Sequence, residues 1–155
     1  MKNVEIYTDG ACTGNPGRGG FGAVLIYNGN EKQISRGYRK TTNNRMELMA
    51  AVESLKLLKE PCKVTLYSDS KYLTDAINQK WLFTWQKNGW KKSDKKSVLN
   101  TDLWNELLNL IQVHNVTFIW VKGHAGNKYN EICDTLAVEA YSSRAEYIDQ
   151  YYENL

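Results

Sequence analysis

The sequence predicts an α/β domain in which a mixed β-sheet is covered by helices on both faces. Short runs rich in β-formers alternate with longer segments of helical period, in the order βββαβαααβα. Three strand-like runs come first, and an Asn-Gly turn folds the second onto the third as a hairpin. The later strands are separated by helices, and a strand reached through a helix lies parallel to the one it returns to.

In order, residues 3–8 (Asn-Val-Glu-Ile-Tyr-Thr) alternate and form a strand that stops at a Gly-rich run, Gly10 to Gly20, read as a loop. Phe21 to Tyr27 and Gln33 to Tyr38 flank Asn28-Gly29-Asn30, which supplies the positive φ angles of a tight hairpin. Thr41-Thr42-Asn43-Asn44 offers several N-caps for a helix reaching Lys59, with Pro61 beyond its end. Lys63 to Ser68 is a short strand, and Ser70 to Gln79 and Trp81 to Lys87 are helical, the latter ended by Asn88-Gly89. Thr101 or Asp102 caps a helix to Val113, Val116 to Val121 is a strand, and Asn127 to Tyr141 is a helix with Ile132, Cys133, Leu136, Ala137 and Ala140 on one stripe. Residues 143–155 read as a peripheral tail on a domain spanning 1–142.

A chain of 155 residues, 42% hydrophobic, suits one compact domain. No stretch approaches the ~20 apolar residues of a membrane span, and Met1-Lys2-Asn3-Val4-Glu5 carries no signal-peptide pattern, so a soluble, cytoplasmic protein is expected. Cys12, Cys62 and Cys133 are odd in number and far apart, which argues against a disulfide framework or a zinc cage. The net charge of +3 is unevenly spread: residues 80–96 hold six lysines and one acid, Asp94. That basic stretch, set in an otherwise slightly acidic chain, points to a polyanionic partner.

Two strands end on the same phrase, Ile6-Tyr7-Thr8-Asp9 and Leu66-Tyr67-Ser68-Asp69. If they pair in parallel, the two carboxylates sit side by side at the carboxyl edge of the sheet, where α/β proteins bind ligands. Two such charges ~4 Å apart repel by ~4 kcal/mol at an effective dielectric of 20, which a cation would relieve. Each acid also has a plainer reading. Asp69 could cap the next helix, Glu47 could complete a capping box with Asn44, and Asp134 could be a solvated surface acid. His124 lies on the loop Lys122-Gly123-His124-Ala125-Gly126, where a histidine can be merely exposed or can carry a proton near neutral pH.

Together, Asp9-Gly10-Ala11-Cys12, Asn15-Pro16-Gly17, Thr42 through Glu47, Tyr67-Ser68-Asp69-Ser70, Trp120 through Gly126, and Asn130 through Asp134 resemble the type 1 ribonuclease H family of bacteria over residues 3–141. The resemblance implies a ribonuclease H-like fold: a five-stranded sheet with three antiparallel strands at one side, flanked by helices, with a basic helical protrusion at about residues 80–97. It implies that Asp9, Glu47, Asp69 and Asp134 bind two divalent ions, with His124 assisting, and that the substrate is an RNA–DNA hybrid cut on its RNA strand. All-carboxylate ligands suit Mg²⁺, with Mn²⁺ able to substitute.

Within the basic stretch, Trp81, Trp85 and Trp90 interleave with Lys87, Lys91 and their neighbours. Aromatic residues at helical spacing are often core, but beside lysines they also suit sugars, bases and phosphates. The resemblance assigns this protrusion to the DNA strand and adds Lys40, Thr42 and Asn100 as phosphate contacts. Lys40 stands where relatives often carry arginine, so the bidentate fork is lost there, and Ile132 likewise replaces a frequent arginine. Cys12 to Asn15, Asn43 and Asn44 offer groups that can sense a 2′-hydroxyl, although the two asparagines could equally cap a helix. A monomer with no obligate protein partner is expected. Two other readings are a hybrid-binding module without cleavage, disfavoured by clustered acids, and a related-fold DNA nuclease.

Overall fold

The computed structural model describes residues 1–123 and 125–155. Its five strands, β1 (Lys2–Cys12), β2 (Gly17–Tyr27), β3 (Asn30–Thr41), β4 (Cys62–Ser68) and β5 (Asn115–Trp120), form one sheet in the order β3-β2-β1-β4-β5. The first three pair antiparallel, while β4 pairs parallel with β1 and with β5. The helices are α1 (Asn43–Lys56), α2 (Lys71–Asn78), α3 (Trp81–Lys87), α4 (Thr101–Val113), α5 (Lys128–Ser143) and α6 (Gln150–Glu153). Helix α5 lies across β1, β2 and β3 on one face, and α1 packs on β1 and β2 from the other with α4 beside it. Ile6, Phe21, Leu66, Met46, Leu48, Trp104 and Leu107 are fully buried between α1, α4 and the sheet. Among the described residues, no helix is long and apolar enough to cross a membrane.

The Gly-rich run is not the loop expected of it. Strand β1 continues to Cys12 and β2 starts at Gly17, so glycines inside this stretch belong to paired strands. They are there because the helices lie against the strand backbone: a Cβ on Gly20 would fall 2.6 Å from the Ala137 carbonyl oxygen of α5, and one on Gly10 would fall 2.5 Å from the Glu47 nitrogen of α1. Helix α1 is shorter than its apolar pattern suggests, ending at Lys56 with Leu57 as C-cap. Its N-cap is Thr42, whose hydroxyl accepts from Arg45 N at 3.2 Å. Helix α4 begins after Asn100, which holds φ at 62° and makes no side-chain cap, so neither Thr101 nor Asp102 caps it.

Residues 143–155 are not peripheral. Tyr147 adds a backbone bridge to the outer side of β3, donating to Gly37 O and accepting from Arg39 N, both at 3.0 Å. This covers part of an otherwise open sheet edge. Asp149, 3% exposed, accepts from Arg45 Nε at 2.7 Å and Nη2 at 3.0 Å, and from the Thr41 hydroxyl at 2.8 Å. The Arg45 side chain, 1% exposed, also meets both Asp102 oxygens at 2.8 and 2.7 Å. Sequence gives little warning of this network, because its partners are 104 and 57 positions apart.

At the far end of the sheet, His114 is buried and its Nδ1 accepts the Cys62 N–H at 3.1 Å. Only an imidazole unprotonated at Nδ1 can accept, and burial lowers the pKa. The unfolded chain therefore takes up a proton more readily, so the stability His114 contributes is full above its unfolded pKa, about 6.5, and is lost as pH falls toward the lower folded value. Chemical denaturation between pH 8 and pH 5 should show this loss, and His114→Gln should flatten that part of the profile.

Candidate active site

Strands β1 and β4 run parallel in a register that sets Thr8 opposite Ser68, so Asp9 and Asp69 follow side by side at the carboxyl edge. Asp69 does not cap α2. That task falls to Ser70, whose hydroxyl accepts from Leu73 N at 3.2 Å. Glu47 is not part of a capping box, since with Thr42 as N-cap it lies beyond the third helical position. Instead, the close approach of α1 to Gly10 sets Glu47 directly over the end of β1. One oxygen from each of Asp9, Glu47 and Asp69 lies within 4.8 Å of the others.

Asp9 is 4% exposed and accepts from the Gly10 N–H at 2.9 Å. Glu47 Oε1 is buried with no hydrogen-bond partner among the described residues. Burial first, and then the charges of Asp69 and Asp134, push the Asp9 pKa upward, while burial followed by Asp9 and Asp69 does the same for Glu47. At an effective dielectric of 20, each like-charged pair at this spacing costs about 3–4 kcal/mol. Three carboxylates, one of them with an orphaned oxygen, are the donor set of a hard divalent cation, and the residues present fit one. Asp134, on α5, is close enough to Asp9 to raise its pKa but stands outside the triangle. His124 lies outside the described residues.

Around this edge, the structure brings several of the predicted substrate residues together. Asn15 Oδ1 accepts from Asn43 N at 3.0 Å, joining the β1–β2 turn to the start of α1, and Cys12 is half-buried beneath that turn. Lys40, Asn43 and Asn44 are exposed and Thr42 is partly so. On the protrusion, Trp81 is 48% exposed with its ring 6.5 Å from that of Trp85, which meets the buried Trp104 edge-on. Trp85 and Trp90 pack against the core, as the core reading has it, while Trp81 does not join them there. Trp81, Trp85, Lys91 and Lys92 line a cavity of about 310 Å³. Lys87 is exposed, and Lys91 donates to the Ser97 hydroxyl at 2.9 Å.

The RNase H family profile matches residues 1–142. Curated relatives include Ribonuclease H of Rippkaea orientalis, 56% identical over 99% of this chain and 94% of that protein, and Ribonuclease H of Caldanaerobacter subterraneus subsp. tengcongensis, 61% identical over 90% and 94%. The chain belongs to the type 1 ribonuclease H family. Among solved structures, LC9-RNase H1, a type 1 RNase H with the type 2 active-site motif, superposes with a TM-score of 0.81 at 31% identity over 92% of this chain and 73% of that one. LC11-RNase H1, solved in complex with an RNA/DNA hybrid, shares the fold at 23% identity and a TM-score of 0.67, over 90% and 96% of the two chains.

Two features of this ribonuclease H site were not read from sequence. The Trp120 indole donates to the Asp69 carbonyl at 3.0 Å, tying the end of β5 to the end of β4. Gly123 lies so near Asp69 that a Cβ there would stand 2.8 Å from Oδ2. Trp120 and Gly123 are both within the ribonuclease H motif around His124, but neither residue type signals such a contact by itself.

Proposed function

We propose that this enzyme hydrolyses the RNA strand of RNA–DNA hybrids using two Mg²⁺ ions, for which Mn²⁺ can substitute, held by Asp9, Glu47, Asp69 and Asp134. The observation that carries this reading is the carboxylate triangle with its buried, unpartnered Glu47 oxygen. When bound, the ions supply a nucleophilic water and stabilise charge on the leaving oxygen. The carboxylates hold that charge at the open edge of the sheet, where a phosphodiester can reach it. Water attacks phosphorus in line, the bond to the 3′-oxygen breaks, and 5′-phosphate and 3′-hydroxyl ends result. His124 assists proton movement or product departure.

The half-buried Cys12, the Asn15–Asn43 turn and Asn44 sit at the edge nearest the acids, suited to the RNA strand and its 2′-hydroxyls. Lys40, Thr42, Asn100, Trp81, Trp85, Lys87, Trp90 and Lys91 receive the DNA strand through phosphate charge and aromatic packing. This is the activity of a monomer acting in the cytoplasm, removing RNA primers and other hybrids during replication and repair.

Labelled RNA–DNA hybrid, duplex RNA and duplex DNA, each incubated with and without Mg²⁺, test the reading. Cleavage is expected only of the hybrid and only with metal; cutting of duplex DNA, or of hybrid in excess chelator, overturns it. Trp81→Ala is expected to raise KM for hybrid by about 5- to 100-fold, the range of one lost stacking contact, with kcat little changed. Steady-state kinetics at fixed salt check this.

A further inference from the structure

Asn100 is held in an unusual way for a helix N-cap. Its φ of 62° is left-handed and its side chain caps nothing. Instead the amide is clamped from both ends: Oδ1 accepts from Arg45 Nη1 at 3.3 Å, and Nδ2 donates to the Tyr72 hydroxyl at 2.9 Å. That hydroxyl also accepts from the Trp104 indole at 3.3 Å. Arg45 is in turn fixed by Asp102 and by both oxygens of Asp149. The same Asp149 carboxylate accepts from Thr41, whose neighbour Thr42 caps α1 by accepting from Arg45 N.

The geometry points to Asp149 as a positioning residue for the DNA-strand contact at Asn100, which it sets through the Arg45 guanidinium. At 3% exposure, Asp149 cannot touch a hybrid, so any effect on binding passes through these neighbours. The guanidinium is a rigid planar fork, so the direction of Nη1 toward Asn100 is fixed by the carboxylates on its other nitrogens. Without Asp149, the fork is held by Asp102 alone, whose side chain is 25% exposed. Asp149 thereby acts on substrate binding from a segment that otherwise serves to cover β3.

The proposal rests on the reading of Asn100 as a DNA-strand contact, and a double-mutant cycle separates the two. Asn100→Ala should raise KM for hybrid about tenfold with kcat nearly unchanged. Asp149→Asn should raise KM by about 3- to 10-fold, again at constant kcat, and should add nothing in the Asn100→Ala background. Arg45→Lys keeps a cation for Asp149 but loses the fork, so it should show the same KM rise and serves if Asp149→Asn fails to fold. Glu153→Gln, which releases the Arg39–Glu153 pair at the end of the same segment, should lower Tm and leave KM alone. An unchanged KM in Asp149→Asn or Arg45→Lys, while Asn100→Ala raises it, overturns the positioning role alone. Fully additive effects do the same. An unchanged KM in Asn100→Ala overturns the contact reading and the proposal with it.

Discussion

Asp9→Asn is expected to lower turnover on an RNA–DNA hybrid by about 10³-fold and, in metal-free buffer, to raise the melting temperature. The first effect follows from removing one arm of the carboxylate triangle, since metal-borne charge stabilisation is worth several kcal/mol and about 4 kcal/mol corresponds to that factor. The second follows from the direction of the Asp9 pKa, which burial and then Asp69 and Asp134 raise. A carboxyl whose folded pKa lies above its unfolded one favours the native state at low pH, and that contribution is lost as pH rises through the folded value. At neutral pH and without metal, native Asp9, with its pKa pushed up to about 8, holds a proton that the unfolded chain releases, so Asp9 costs stability there, and an uncharged isostere relieves about 2 kcal/mol, or roughly 4–8 °C in a domain of this size. Thermal unfolding with chelator, beside steady-state kinetics with Mg²⁺, measures both. Full activity, or a lower Tm in chelator, would contradict this account of the triangle.

Arg45→Leu should be among the most destabilising single changes in the molecule. It leaves Asp149 buried with its cation gone and only neutral donors, Thr41 Oγ1 and Tyr152 N, beside it. Breaking a buried pair from one side costs about 3–5 kcal/mol, which is about 6–20 °C here. The cost comes from a stranded charge rather than from lost attraction, so the double variant Arg45→Leu/Asp149→Asn should lose less stability than Arg45→Leu alone. Urea titration of both proteins provides the comparison.

The adjacency of Asp9 and Asp69 was legible because the repeated strand ending, Tyr-Thr-Asp and Tyr-Ser-Asp, needs only parallel pairing to bring the acids together, and β1 and β4 pair that way. Glu47 was ambiguous because the spacing of a capping box does not exclude a role at the sheet edge; the choice depended on whether Thr42 or Asn44 was the cap, a shift of two residues in where the helix starts. The Gly-rich run misled for a related reason. Glycine marks both turns and places where another backbone comes close, and only the positions of α5 over Gly20 and α1 over Gly10 distinguish them. Asp149 was out of reach altogether, since nothing local to Tyr147-Ile148-Asp149 signals an arginine 104 positions earlier.

The triangle draws one carboxylate from β1, one from α1 and one from the residue that follows β4, so it exists only after long loops have closed and the parallel pair has formed. An unfolded or partly folded chain offers scattered acids of ordinary, weak affinity. A divalent cation held by the triangle is therefore expected to bind the finished sheet and hardly anything before it, so that above its dissociation constant each tenfold rise in its concentration adds a constant increment to the stability of the native form. In a refolding experiment, recovery of metal binding should coincide with the last step that docks β4 on β1, making the ion a reporter of completed folding.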